Sequence, residues 1–196
     1  MILYVFITHQ GNINNCYDRI VNMMNDLKQD FIIVQGGFIK DEYNNQEKIL
    51  NLNCNDKYVG LPEKVMKTFH YLISDDQFKG YSHFVKLDDD MSIIKPFDKL
   101  EGDYIGNVHY GDGNRQWHMG RTGTFWDKVP YLGEFKPWCM GGFGYIVSRE
   151  SLKKIVPNYE YLDHIYEDVY IGILMNRIGV EPKKINTKEY LFSPDH

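Results

Sequence analysis

The chain reads as a single α/β domain, doubly wound around a mostly parallel sheet with helices on both faces, and three observations carry that reading. The first 37 residues alternate strand, helix and strand. Their strands are continuous apolar runs without in–out alternation, the pattern of strands covered on both faces. A cluster of acids, Asp88-Asp89-Asp90, follows a third such run, at the carboxyl end of a strand where open α/β sheets bind their ligands.

Residues 2–8 are apolar, β-branched and aromatic, hence a buried strand. After a polar loop, residues 16–27 place Ile20, Val21, Met24 and Leu27 at helical spacing. Residues 30–35 form a second buried strand, closed by Gly36 and Gly37. Residues 48–52 read as a short strand, and 62–73 as an amphipathic helix with Pro62 in its tolerant first turn. Residues 83–87 and 104–108 read as strands, and the Gly-rich polar run 111–126 as a loop excursion. A strand over 144–148, a helix over 149–155 and a longer helix over 167–178 complete the pattern. No repeat or linker divides residues 1–196, so one domain is expected.

Composition narrows the partners. The formal charge is −5, which argues against a nucleic-acid ligand. The 15 Tyr, 11 Phe and 3 Trp fill a core first, and their faces also suit carbohydrate. Cys16, Cys54 and Cys139 make an odd set without metal-ligand spacing, so a reducing, cytoplasmic compartment is expected. The opening MILYVFIT lacks a basic flank and passes into polar sequence, so it is a strand rather than a signal peptide or membrane span.

Three adjacent carboxylates repel one another unless a cation or several donors offset the charge. In extended backbone Asp88 and Asp90 share a side while Asp89 faces away. Hard oxygen ligands suit Mn²⁺ or Mg²⁺ holding a nucleotide diphosphate; the bland reading is a solvated acidic turn. Glu167 and Asp168 open an apolar helix, where acids meet the helix dipole, and either could also serve as a general base. The glycines of 141–144 permit close backbone approach to a ligand, or simply a tight turn. His196 ends the chain and could return to a metal site.

In order, KLDDDM (86–91), GDYIGN (102–107), KPWCMGGFGYIVS (136–148) and YEDVYIG (166–172) resemble the beta-1,3-galactosyltransferase and Fringe-like family of glycosyltransferases. The run YVGLPEKVMKTFHYL (58–72) is similar to a helix of that family but departs from it at 59–63. The resemblance implies a GT-A fold and an inverting enzyme that moves a hexose (galactose, glucose or N-acetylhexosamine) from a UDP-linked donor. The acceptor would be a hydroxyl of a glycan, glycoprotein or glycolipid, and the cofactor Mn²⁺ or Mg²⁺. It assigns Asp90, Asp88 and His196 to the metal, and Asp168, with Glu167 as the alternative, to the base. Thr8, Arg19, Lys67, Asp88, Asp89, Gly141 and Gly142 fall to the donor, and Trp138 and Tyr145 to the acceptor.

The chain is short for that family and shows neither its membrane anchor nor its paired luminal cysteines. A bacterial or large-virus enzyme, or a domain cut from a longer polypeptide, is the expectation. The competing classes are a non-catalytic nucleotide-sugar, carbohydrate or cation-binding module, and a nucleotidyltransferase. The latter would carry a basic Gly-rich loop after its first strand, and residues 9–15 contain neither Lys nor Arg.

Overall fold

A computed structural model of the chain describes residues 1–97, 100–158 and 164–192. Strand β1 (Ile2–Ile7) leads into helix α1 (Ile13–Leu27) and strand β2 (Phe31–Gln35). A hairpin, β3 (Glu42–Asn44) and β4 (Ile49–Asn51), precedes helix α2 (Leu61–Ser74). Then come β5 (His83–Asp88), β6 (Ser92–Ile93), β7 (Tyr104–Gly106), β8 (Val108–His109), β9 (Trp138–Cys139) and β10 (Tyr145–Ser148). Helices α3 (Arg149–Ile155) and α4 (Glu167–Arg177) follow, and β11 (Lys183–Lys184) and β12 (Leu191–Phe192) end the described chain.

Among the described residues, eight strands form one sheet in the order β11-β7-β10-β5-β1-β2-β4-β3. The pairs β1–β2, β1–β5, β2–β4 and β7–β11 are parallel, whereas β10 runs antiparallel between β5 and β7. β1 therefore stands where the chain turns from one side of the sheet to the other, and the crevice beyond the ends of β1 and β5 is the switch point at which such sheets take ligands.

The strand pattern explains why both faces are covered. Leu3, Val5 and Ile7 pack on one side with Phe69 of α2 and Leu174 of α4. Tyr4 and Phe6 pack on the other with Cys16, Ile20 and Met24, which α1 places at successive turns. A third cluster, including Tyr131, Trp138, Tyr166, Val169 and Ile173, lies between α4 and the 111–135 excursion. α4 is thus buried nearly all round, with Val169 through Met175 out of solvent. Its Gly172 sits where a Cβ would come within 2.6 Å of Trp138 Cβ, so only glycine lets β9 close on the helix. Among the described residues no helix is long and apolar enough to cross a membrane.

The expected strand over 104–108 is broken into β7 and β8, which belong to different sheets. Asn107 turns the chain there, and its carbonyl accepts from the Met140 amide. α1 begins three residues earlier than its apolar spacing indicates, because polar Asn14 and Asn15 fill its exposed first turn.

Candidate active site

β5 carries one charge inside an apolar run, Lys86, and the sheet buries it to 1% exposure. A buried ammonium requires partners. Its Nζ lies 2.6 Å from Asp88 Oδ1 and 3.3 Å from Glu167 Oε2. The Tyr145 hydroxyl, from β10, donates to Glu167 Oε1. One ammonium thus ties the acidic end of β5 to the first turn of α4. Burial opposes the charge on Lys86, but Asp88 and Glu167 outweigh it and hold the ammonium above the usual lysine range. Burial pushes Glu167 up to about 7, against the pull of Lys86.

Asp168 is the more exposed acid of the pair, though still partly buried. Its Oδ2 accepts from the Gly141 amide at 2.8 Å, and its Oδ1 from the Val169 amide at 2.8 Å. Burial raises its carboxyl, and these amides and Lys86 oppose the rise. A Cβ on residue 141 would stand 3.0 Å from Glu167 Oε2 and 3.3 Å from Asp168 Cβ, so glycine is what brings this amide to the carboxylate.

At the switch point the ends of three strands are laced together. The Thr8 hydroxyl donates to Asp89 Oδ2, and Asn12 Nδ2 donates to the same oxygen at 2.7 Å. Arg19 donates to the backbone carbonyls of Asp89 and Met91. Lys64, 3% exposed at its side chain, donates to the Thr8 carbonyl at 2.7 Å and pairs with Asp56 at 2.5 Å. Asp56 in turn accepts the amides of Gln10 and Gly36, each at 2.7 Å. Asp89 thus anchors the turn, while Asp88 keeps a 39% exposed side chain at the crevice.

A cleft of about 420 Å³ opens over Lys86, Asp88, Glu167 and Asp168, the size of an ordinary small-molecule site. Asp88, Asp168, Gly141 and Gly142 line its floor, and Trp117, Arg121 and Trp138 its wall. That wall is a built structure. His118, wholly buried, sets Nδ1 2.8 Å from the Tyr166 hydroxyl and Nε2 2.9 Å from the carbonyls of both Trp126 and Val129. The Tyr166 hydroxyl also lies 2.9 Å from the Asn114 carbonyl. The excursion is clasped to the residue immediately preceding Glu167 and Asp168.

Residues 33–186 match the family model described as Galactosyltransferase. The chain belongs to the galactosyltransferase family. It is 26% identical over 168 residues to UDP-GalNAc:beta-1,3-N-acetylgalactosaminyltransferase 2 of Xenopus laevis, covering 83% of this chain and 32% of that protein. The human protein of the same name is 23% identical over 185 residues, covering 92% and 35%. Human chondroitin sulfate synthase 3 is 31% identical over 127 residues, covering 60% of this chain and 14% of that one. This galactosyltransferase-family chain therefore spans about a third of the length of the N-acetylgalactosaminyltransferases it matches. Its fold is GT-A, shared with the catalytic domain of Drosophila beta1,4galactosyltransferase 7 in complex with xylobiose at a TM-score of 0.51. That match, at 9% identity, covers 98% of this chain and 70% of that one.

Within this family member, Asp88, Glu167, Asp168, Gly141, Gly142 and Trp138 come together around one cleft. Three sequence assignments change. Tyr145 is 1% exposed with its hydroxyl committed to Glu167, so it stands behind the site and does not reach an acceptor. Thr8 is 3% exposed and its hydroxyl is committed to Asp89, which leaves its side chain out of reach of a donor. Lys67 is engaged by the Asn53 carbonyl and Glu63; the lysine that reaches the crevice framework is Lys64, one helical turn earlier. Arg19 braces the Asp89–Met91 turn through its backbone carbonyls. His196 lies outside the described residues.

Sequence reasoning passed over Lys86, although a lone charge within an apolar strand is its signal. It also passed over Lys64, Asp56, His118 and Arg121. Asp88 and Asp90 are the residues that could hold a divalent cation. Among the described residues no group of three metal-ligating side chains gathers.

Proposed function

We propose that this chain is an inverting, metal-dependent glycosyltransferase that moves a hexose from a UDP-sugar to an acceptor hydroxyl. The observation that carries the reading is the division of labour at the start of α4. Asp168 faces the cleft with an amide on each oxygen, while Glu167 is buried behind it on Lys86 and Tyr145. A general base must reach the acceptor proton and remain ionised; both acids line the cleft, but Asp168 is the more exposed, while Glu167 is 5% exposed with its oxygens engaged by Tyr145 and Lys86.

Asp168 takes the acceptor proton as that oxygen bonds to the anomeric carbon, and the bond to the nucleotide diphosphate breaks on the opposite face. One displacement inverts the linkage and needs no enzyme nucleophile. Asp88 and Asp90 would hold a Mn²⁺ or Mg²⁺ ion, to which the family resemblance adds His196. When bound, that ion supplies a Lewis acid for the charge on the departing diphosphate. Lys86 keeps Asp88 and Glu167 in fixed relation, so the donor end and the base end share one buried contact. The matched relatives' names favour UDP-N-acetylgalactosamine as the first donor to try. The free cysteines Cys16, Cys54 and Cys139 support a reducing, cytoplasmic setting.

The test is thermal stability with UDP and Mn²⁺, separately and together, followed by turnover of UDP-sugars. The transferase requires that each ligand strengthen the other. Stabilisation by metal alone would favour a cation-binding module. Asp168→Asn should lose transfer by about a hundredfold or more while keeping UDP binding, and retained turnover would remove Asp168 as the base.

A further inference from the structure

The cleft has two ends of opposite electrostatic character. Its floor is acidic: Asp88, Glu167 and Asp168 line it, and the floor's one cation, Lys86, is already paired with two of them. Its wall carries the other lining cation, Arg121, exposed to solvent. Among the described residues the Arg121 guanidinium makes no ion pair. It rests instead on the Trp117 ring, 4.1 Å from the centroid. Trp117 is itself 48% exposed, so the pair presents an aromatic ring and a planar cation together on the cleft lining.

The segment bearing both residues is held in place. His118, between them in sequence, is wholly buried on Tyr166, and Thr122 donates to Asp127 through its amide at 3.0 Å and its hydroxyl at 2.8 Å. A guanidinium pre-placed on a ring loses little freedom when it forms a forked pair with an oxyanion. Ring faces hold the apolar side of a pyranose. An anionic group with no cation beside it would be repelled by the acidic floor, which favours the wall for a charged acceptor.

We propose that Trp117 and Arg121 form an acceptor subsite for an anionic saccharide, one bearing a uronate carboxylate or a sulfate ester. The proposal rests on the transferase reading above and adds the acceptor's charge to it. Arg121 meets the anion, and the neutral end carrying the accepting hydroxyl extends toward Asp168.

Binding without turnover tests this. The wild-type chain is titrated by NMR with p-nitrophenyl β-glucuronide, with the neutral p-nitrophenyl β-glucoside, and with p-nitrophenyl N-acetylglucosaminide in its 6-sulfated and unsulfated forms. The glucuronide or the sulfated sugar should bind about fivefold tighter than its neutral counterpart, the upper range of a solvent-exposed ion pair. Whichever pair shows the preference identifies the anion. Arg121→Gln should abolish it, bringing each charged sugar to the affinity of its neutral counterpart, and Arg121→Lys should keep part of it. No preference in the wild type, or a preference that survives Arg121→Gln, overturns the proposal. Manganese-dependent UDP binding is measured on the same samples. Its absence would sink the transferase reading alone, and its presence without an anion preference would sink the subsite alone.

Discussion

Replacing Lys86 by Met keeps most of the side-chain volume and removes the ammonium that Glu167 and Asp88 share. Asp88 is exposed enough to rehydrate; Glu167 is not, so it must stay protonated. A carboxyl whose folded pKa lies above its unfolded one destabilises the fold as pH rises between the two values, by about 1.4 kcal/mol per unit. In the wild type this penalty grows from the ordinary value of 4.5 and stops at about 7, where Glu167 ionises against Lys86. Its final size is on the order of 3 kcal/mol. Without Nζ the penalty keeps growing above that pH. Lys86→Met should therefore lose about 2 kcal/mol more than wild type between about pH 7 and about pH 8.5, with little change below about pH 6. Urea unfolding followed by tryptophan fluorescence, without added metal, gives the difference at each pH. Adding Glu167→Gln should flatten it. A stability difference independent of pH would refute the assignment of Lys86 as the counter-ion that allows Glu167 to ionise.

Asp56→Asn should cost about 1–3 kcal/mol at neutral pH, because it weakens the contact that fixes Lys64 under Thr8. Although burial opposes it, Lys64 and the Gln10 and Gly36 amides hold the Asp56 carboxyl below its ordinary 3.8. Its stabilisation is thus present above that value and lost as pH falls through the lowered one, and urea midpoints for variant and wild type should converge in acid. Gly172→Ala gains about 1 kcal/mol in helix propensity but drives its Cβ to 3.0 Å from the Pro137 carbonyl oxygen and 3.1 Å from Trp138 Cα. Overpacking of about 1–3 kcal/mol should win, and a calorimetric Tm at or above wild type would contradict that. His118→Ala strands the Trp126 and Val129 carbonyls and should raise the acceptor KM several-fold with the donor KM unchanged. Steady-state kinetics with both substrates varied would expose a parallel rise in donor KM, which would contradict a role confined to the wall.

The central elements were legible because their burial is encoded in composition. β1 and β2 are apolar on both faces, and α2 shows its apolar stripe from Val65 to Leu72. The two-residue strands β6, β9, β11 and β12 were not legible: such short pairings leave no period to detect. Nor does a local run reveal that β10 lies antiparallel beside β5, since direction depends on the connection and not on the residues. At the site, Asp88 and Asp168 announce themselves as acids beside strand and helix ends. Tyr145 and Thr8 carry the right chemistry, but whether a hydroxyl faces the cleft or a neighbouring carboxylate is a tertiary fact. His118 sits within a polar, Gly-rich run that gives no sign of a buried clasp.

The clasp has a consequence for how acceptor choice could diversify. The excursion is fastened to the scaffold at Tyr166 and at the small cluster around Trp138. A differently shaped or charged excursion needs only to preserve its own fastening to be grafted in whole. In the proposed reading acceptor recognition sits on a separately fastened segment, while the carboxylates beneath it are tied together by Lys86.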